Sequence, residues 1–183
     1  MSICKLNSNL LRSAQCGYNL PDIVDIYLIN YGDGKAEVTG STGGCESITG
    51  FTWTDSGSTP VFHVEPVKNS ASYSDELVVE DGGIKYRTST VTFNVAGDFT
   101  ACQKAALDQL SLGRYFVACH LANDTYIGFG RFIPLEASVA TIQFGQNGGN
   151  TFQVTLTANM AESAFPLSEA AVTELLSKVA PNS

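Results

Sequence analysis

The chain has 183 residues, of which 44% are hydrophobic and only 15% charged, where an ordinary globular domain carries roughly 25% charge. That length suits one domain with a substantial core, and so little charge leaves the surface to Ser, Thr, Asn and Gly or to partner subunits. Eighteen acidic against ten basic side chains give a net charge of −8, which argues against a protein that wraps nucleic acid, because grip on phosphate comes mainly from Lys and Arg.

In chain order, "DIVDIYLINY" (22–31) follows Pro21 and is rich in Ile, Val and Tyr, which predicts a buried strand. Residues 32–60 are rich in Gly, Ser and Thr, with short β-like pieces "KAEVTG" and "ESITGFTW". "VFHVEPV" (61–67) reads as an edge strand, since Pro66 cannot donate to a ladder. A long hairpin follows, "YSDELVVEDGGIKYRTSTVTFNV" (73–95), and then a short amphipathic helix. There Cys102, Ala106, Leu107 and Leu110 recur at helical spacing between a Thr100 cap and Gly113. "RYFVACHL" and "TYIGFGRF" flank "ANDT" as a second hairpin, apolar on both faces and so covered on both. "ATIQF" and "TFQVTLTA" flank the glycine-rich "GQNGGN" as a third, with Phe152, Val154, Leu156 and Ala158 on one face. "SEAAVTELLSKVA" closes the chain as a helix capped by Ser168, with Val172, Leu175, Leu176 and Val179 along one stripe. The fold class predicted is mainly β, a β-sandwich or split barrel with a helix on its flank.

Chemistry is sparse. Cys4, Cys16, Cys45, Cys102 and Cys119 are odd in number and none stands at C-x-x-C spacing. With His63 and His120 the sole histidines, the spacing holds no zinc motif, and the cysteines read as reduced thiols. "YGDGK" lacks the first glycine and the Ser or Thr of a phosphate loop and reads as a plain turn, and no later acidic ligands make it a calcium loop. His120 alternates with Phe116 and Ala118 and reads as a packed or hydrogen-bonded core histidine rather than a base. No catalytic residue, cofactor site or metal site is expected, and the reading is that of a non-enzyme. "MSICKLNSNLLRSAQC" lacks the apolar stretch of a secretion signal, and "YFVACHLA" is far short of the roughly 18 residues of a membrane span. A soluble product of the cytoplasm is expected.

The hairpin at 73–95 is longer than a compact domain of this size needs. Asp81-Gly82 and Gly82-Gly83 both favour two-residue primed turns. The first sets Leu77 opposite Tyr86 and Glu76 opposite Arg87, and the second sets Glu80 opposite Lys85. Either register puts Tyr73, Leu77, Val79, Ile84 and Tyr86 on one face and Glu76, Glu80, Lys85 and Arg87 on the other. Farther on, Val91, Phe93 and Val95 have the opposite parity, which calls for a bulge or a change of partner. The segment 88–95 then belongs to the body and 73–87 projects as a ribbon, marginal alone in water. In a symmetric assembly its cover is another copy, so these five residues are expected to form an inter-subunit contact.

The order "IVDIYLINY", "VEPVKNSASYSDEL", "YRTSTVTFNV", a short helix, "LGRYFVACHLANDTYIGFGRFIPLEAS" and "TFQVTLTANMAESAFPL" resembles the tail tube proteins of tailed phages, especially those of Bacteroides-type hosts. The likeness covers roughly residues 16–167. Its most telling part is 113–132, where Thr125 stands at a turn position that the family usually gives to glycine. The resemblance implies a single tail-tube-like domain over 1–183, with an N-terminal arm at 1–20, the long hairpin at 70–95 and a C-terminal helix at 168–180 outside the family pattern. It implies a virion structural protein, made in the host cytoplasm, whose copies join sheets into rings, commonly hexamers, that stack into a genome conduit with an acidic lumen. Its partners would be itself, other tail proteins and genomic DNA passing without specific binding. The alternatives are a head–tail junction or baseplate ring of the same fold, or a carbohydrate-binding β-sandwich displaying Trp53, Phe51 and Tyr31 as an aromatic row.

Overall fold

The computed structural model describes residues 22–40, 46–58, 60–97, 100–145 and 150–181. The expected N-terminal arm, with Cys4 and Cys16, and also Cys45, lie outside the described residues. The fold is mainly β and sandwich-like, with two helices. In chain order come β1 (Ile23–Asn30), β2 (Gly34–Gly40), β3 (Glu46–Trp53), β4 (Val61–Val64), β5 (Ser72–Val79) and β6 (Lys85–Ala96). Helix α1 (Ala101–Leu112) leads to β7 (Arg114–Leu121), β8 (Tyr126–Phe129), β9 (Leu135–Gln143), β10 (Thr151–Met160), β11 (Phe165–Pro166) and α2 (Glu169–Ser177).

One large antiparallel sheet has two wings. The first runs β5-β6-β10-β9, and the second places β7 between β1 and β8, with β4 beyond β1 and β11 beyond β8. They meet where Arg114 and Tyr115 pair with Glu136 and Leu135. The wings close over a shared core of Ile26 and Leu28 from β1, Val117 and Cys119 from β7, Val91 and Phe93 from β6, and Val154 and Leu156 from β10. The outward sides of β1 and β7 carry a second core, in which Tyr27, Ile29, Phe116 and Ala118 pack on Ile48 and Phe51 of β3 and on Ala171 and Leu175 of α2. β7 is therefore buried on both faces, as its unbroken apolar run predicts. Among the named strands β4 pairs with β1 alone, as expected of a strand near an edge, and on its other side Val61 bonds the segment 178–180.

The caps are as read from sequence. Thr100 and Gln103 form a reciprocal capping box on α1, and Ser168 accepts from the Ala171 N–H at the start of α2. The helix faces differ from expectation. Leu107 and Leu110 of α1 are half-buried while Cys102 and Ala106 are exposed, because the helix lies along one rim of the sandwich and packs on the other described residues with one side. On α2 the buried residues are Ala171 and Leu175, and Leu176 is exposed. The roll of α2 is set by Glu174, which accepts from the Phe51 N–H at 3.0 Å and from Trp53 Nε1 at 2.7 Å. The turn after β7 accommodates Thr125 because its left-handed residue is Asp124, at φ +63°, a residue type that tolerates that conformation.

Leu175→Ala should cost about 2–5 kcal/mol of stability by urea denaturation, while Leu176→Ala should stay within about 0.5 kcal/mol. Burial pushes the Cys119 thiol up to about 12, whereas Cys102 is exposed. Alkylation of the folded protein followed by peptide mapping should therefore label Cys102 and spare Cys119.

Candidate functional site

The 73–87 hairpin departs from both predicted registers. Its loop has three residues, Asp81-Gly82-Gly83, with both glycines at positive φ and the Gly83 N–H donating to the Glu80 carbonyl. Leu77 consequently faces Arg87, Val78 faces Tyr86 and Val79 faces Lys85. The extra loop residue divides the expected contact face. Tyr73, Leu77 and Val79 stand on the core-side face, and Tyr86, with Ile84 opposite Glu80, on the other. No bulge interrupts β6 against β5 or β10, so the parity change at Val91 is simply the step from one face to the other. The expected pairs of Glu76 with Arg87 and Glu80 with Lys85 are replaced: Arg87 Nε donates to Asp75 at 2.8 Å, and the Tyr86 hydroxyl donates to Glu80 at 2.9 Å.

The free ribbon is also shorter than expected. β10 accompanies β6 as far as Arg87, and Tyr73 stacks on Phe129 of its own body at 4.5 Å. What projects is the stretch from Leu77 to Tyr86, and there Leu77, Val79 and Ile84 are 56%, 58% and 61% exposed. At the opposite end of β6, α1 and the β1–β4 edge enclose an open groove of about 600 Å³, floored by Leu28, Val64, Val95, Leu110 and Phe152. The outward face of the first wing is a ladder of hydroxyls and amides. Thr90 meets Thr157 at 3.2 Å, Thr92 meets Thr155 at 3.1 Å, and Thr88 donates to Asn159 at 2.9 Å.

A second constellation was invisible in the sequence spacing. β4 and β7 flank β1 on either side, which sets His63 beside Tyr27 and His120 beside Asp25. Asp25 accepts from His63 Nε2 at 2.7 Å with Oδ1 and from His120 Nδ1 at 3.1 Å with Oδ2. Tyr27 stacks on the His63 ring at 5.1 Å and Tyr126 on the His120 ring at 4.3 Å, so both imidazoles are held flat. Burial alone would raise the Asp25 carboxyl, but the hydrogen bonds from His63 and His120 outweigh it and hold the group below the ordinary carboxylate range. The same partial burial, helped by the Asp25 charge, pushes the Tyr27 hydroxyl up to about 12. His120 is thus a hydrogen-bonded histidine, as expected, with partners that only the strand pairing reveals.

Of the aromatic row considered for carbohydrate, Phe51 is buried and Trp53 anchors α2 through Glu174, leaving only Tyr31 exposed. "YGDGK" is the tight turn joining β1 to β2, closed by the Asp33 N–H on the Asn30 carbonyl. No helix among the described residues is long and apolar enough to cross a membrane. No family model, curated protein or solved structure matches the chain.

His63→Gln and His120→Gln should each cost about 0.5–1.5 kcal/mol of stability at neutral pH. In an Asp25→Asn background both costs should shrink, because the three groups act as one unit. A thermodynamic cycle built from urea melts measures that coupling, and full additivity would sink the idea.

Proposed function

We propose that the protein is a virion structural subunit, made in the host cytoplasm, that assembles through its projecting hairpin into rings or a tube conducting a phage genome. The observation that carries this reading is a hairpin tip with apolar side chains on both faces and more than half of each exposed at Leu77, Val79 and Ile84. Such a tip suits a slot rather than a flat surface. The groove beside α1 offers one, with an apolar floor and polar side chains such as Asn30, Gln103 and Gln109 also lining it. β6 has twelve residues, and at roughly 3.3 Å each its length sets tip and groove some 35 Å apart, so a tip cannot reach its own groove. A contact between unlike patches of identical chains closes into a ring or continues as a filament. The resemblance to tail tube proteins adds the stacked, commonly hexameric arrangement and the other tail proteins as further partners. The threonine and asparagine ladder of the first wing is a suitable lining for the conduit. It carries hydroxyls and amides in place of cations, so duplex DNA would meet nothing that grips its phosphates. A ring at the head–tail junction or in the baseplate would use the same contacts.

Sedimentation at high protein concentration should show hexamer-sized or larger species, and negative-stain images should show tubes for the conduit and single closed rings for a junction or baseplate part. Leu77→Ser with Val79→Ser removes roughly 3–6 kcal/mol of apolar burial per subunit from the contact. Assembly should fail while the melting temperature of the monomer is kept. A monomer destabilised to the same degree would put the hairpin tip on its own body and end this reading. Duplex DNA should not be retained at physiological salt, and tight binding there would count against the conduit role.

A further inference from the structure

The Asp25 cluster has the makings of a metal site. Asp25 on β1, His63 on β4 and Glu65 just past the end of β4 each bring one ligand atom into a common space, all within 4.8 Å of one another. Bonds of about 2.0–2.2 Å to zinc set tetrahedral ligand atoms roughly 3.3 Å apart, so the three donors converge on an ion with small side-chain adjustments. His63 Nε2 and Asp25 Oδ1 are already 2.7 Å apart, sharing the hydrogen that an ion would displace. The other oxygen of Asp25 is held by His120 Nδ1, which steers Oδ1 toward that space, and Tyr27 fixes the plane of the His63 ring. Glu65 is exposed and the His63 and Asp25 side chains are 27% and 20% exposed, which gives an ion a way in and leaves a position for water.

We infer that Asp25, His63 and Glu65 bind one divalent transition-metal ion, with imidazole and carboxylate donors suited to Zn²⁺, and that His120 positions Asp25 for it. On binding, His63 takes the tautomer with its hydrogen on Nδ1 and gives the Nε2 lone pair to the ion, in place of its hydrogen bond to Asp25. The ion sits where the chain leaves β4 and crosses to the first wing, where the Val67 N–H donates to the Asn94 carbonyl at 2.7 Å. It would thus add a tie between β1 and the end of β4, at the start of the crossover.

The test uses the tag-free full-length chain, stripped with chelator and titrated with Zn²⁺ by calorimetry, with Co²⁺ absorption as a spectroscopic probe. The expected result is one equivalent bound and a melting temperature raised by the ion. Glu65→Gln, at an exposed position that leaves the fold intact, should weaken binding about tenfold or more, and His63→Gln should abolish the Co²⁺ spectrum. His120→Gln should weaken affinity while the spectrum keeps its shape. Absence of saturable binding to the wild-type chain, or binding unchanged in both Glu65→Gln and His63→Gln, overturns the inference.

Discussion

Two strands, β1 and β7, are the wall between two cores, and the rest of the fold is arranged around the need to keep both of their faces dry. Ile26, Leu28, Val117 and Cys119 need cover on one side, and Tyr27, Ile29, Phe116 and Ala118 on the other. The first wing supplies the former cover and the β2–β3 hairpin with α2 supplies the latter. Each buried large side chain is worth about 1.5–3 kcal/mol relative to exposure, so a layer missing on either side would cost several side chains at once. This also fits the low charge of the chain, because two faces of one wall need two apolar partners.

Elements governed by local rules were legible in the sequence. The double-sided run at 115–119, the alternation of β10, the Thr100 and Ser168 caps and the edge position of β4 all follow from periodicity and from the chemistry of single residues. What depended on one residue of register was not legible. The sequence Glu80-Asp81-Gly82-Gly83 accommodates loops of two or three residues, and the third residue moved Tyr86 and Ile84 to the face opposite Leu77 and Val79. The Asp25 cluster was out of reach for another reason. Its members stand 38 and 57 residues apart along the chain and meet only because β1 pairs with β4 on one side and β7 on the other. Knowledge of those two pairings would have been enough to find it, since the register alone sets His120 beside Asp25.

The molecule has opposite characters at its two ends. Near its root the hairpin is tied into its own body by the stack of Tyr73 on Phe129 and by the buried Ser89 hydroxyl, which donates to Met160 Sδ, while Arg87 and Asp75 pair across its two strands. A few residues farther out the described bonds run between the hairpin's own strands and within its turn, and Leu77, Val79 and Ile84 stand exposed. A stiff root fixes the direction of the exposed end, so less conformational entropy would be lost if that end met an apolar surface.

The bonds of Glu174 give the C-terminal helix a role beyond packing. Strand β3 has an outer edge, and its free backbone groups there are occupied by the Ser168 N–H, which donates to the Ile48 carbonyl, and by the Glu174 carboxylate on the Phe51 N–H. The helix and the residue before it act as a stopper in a socket made for another strand. Take the stopper away and the socket, flanked by Phe51 and Trp53, becomes an open template for strand addition. Ser168 and helix α2 thus keep the outer edge of β3 from pairing with a strand of another chain.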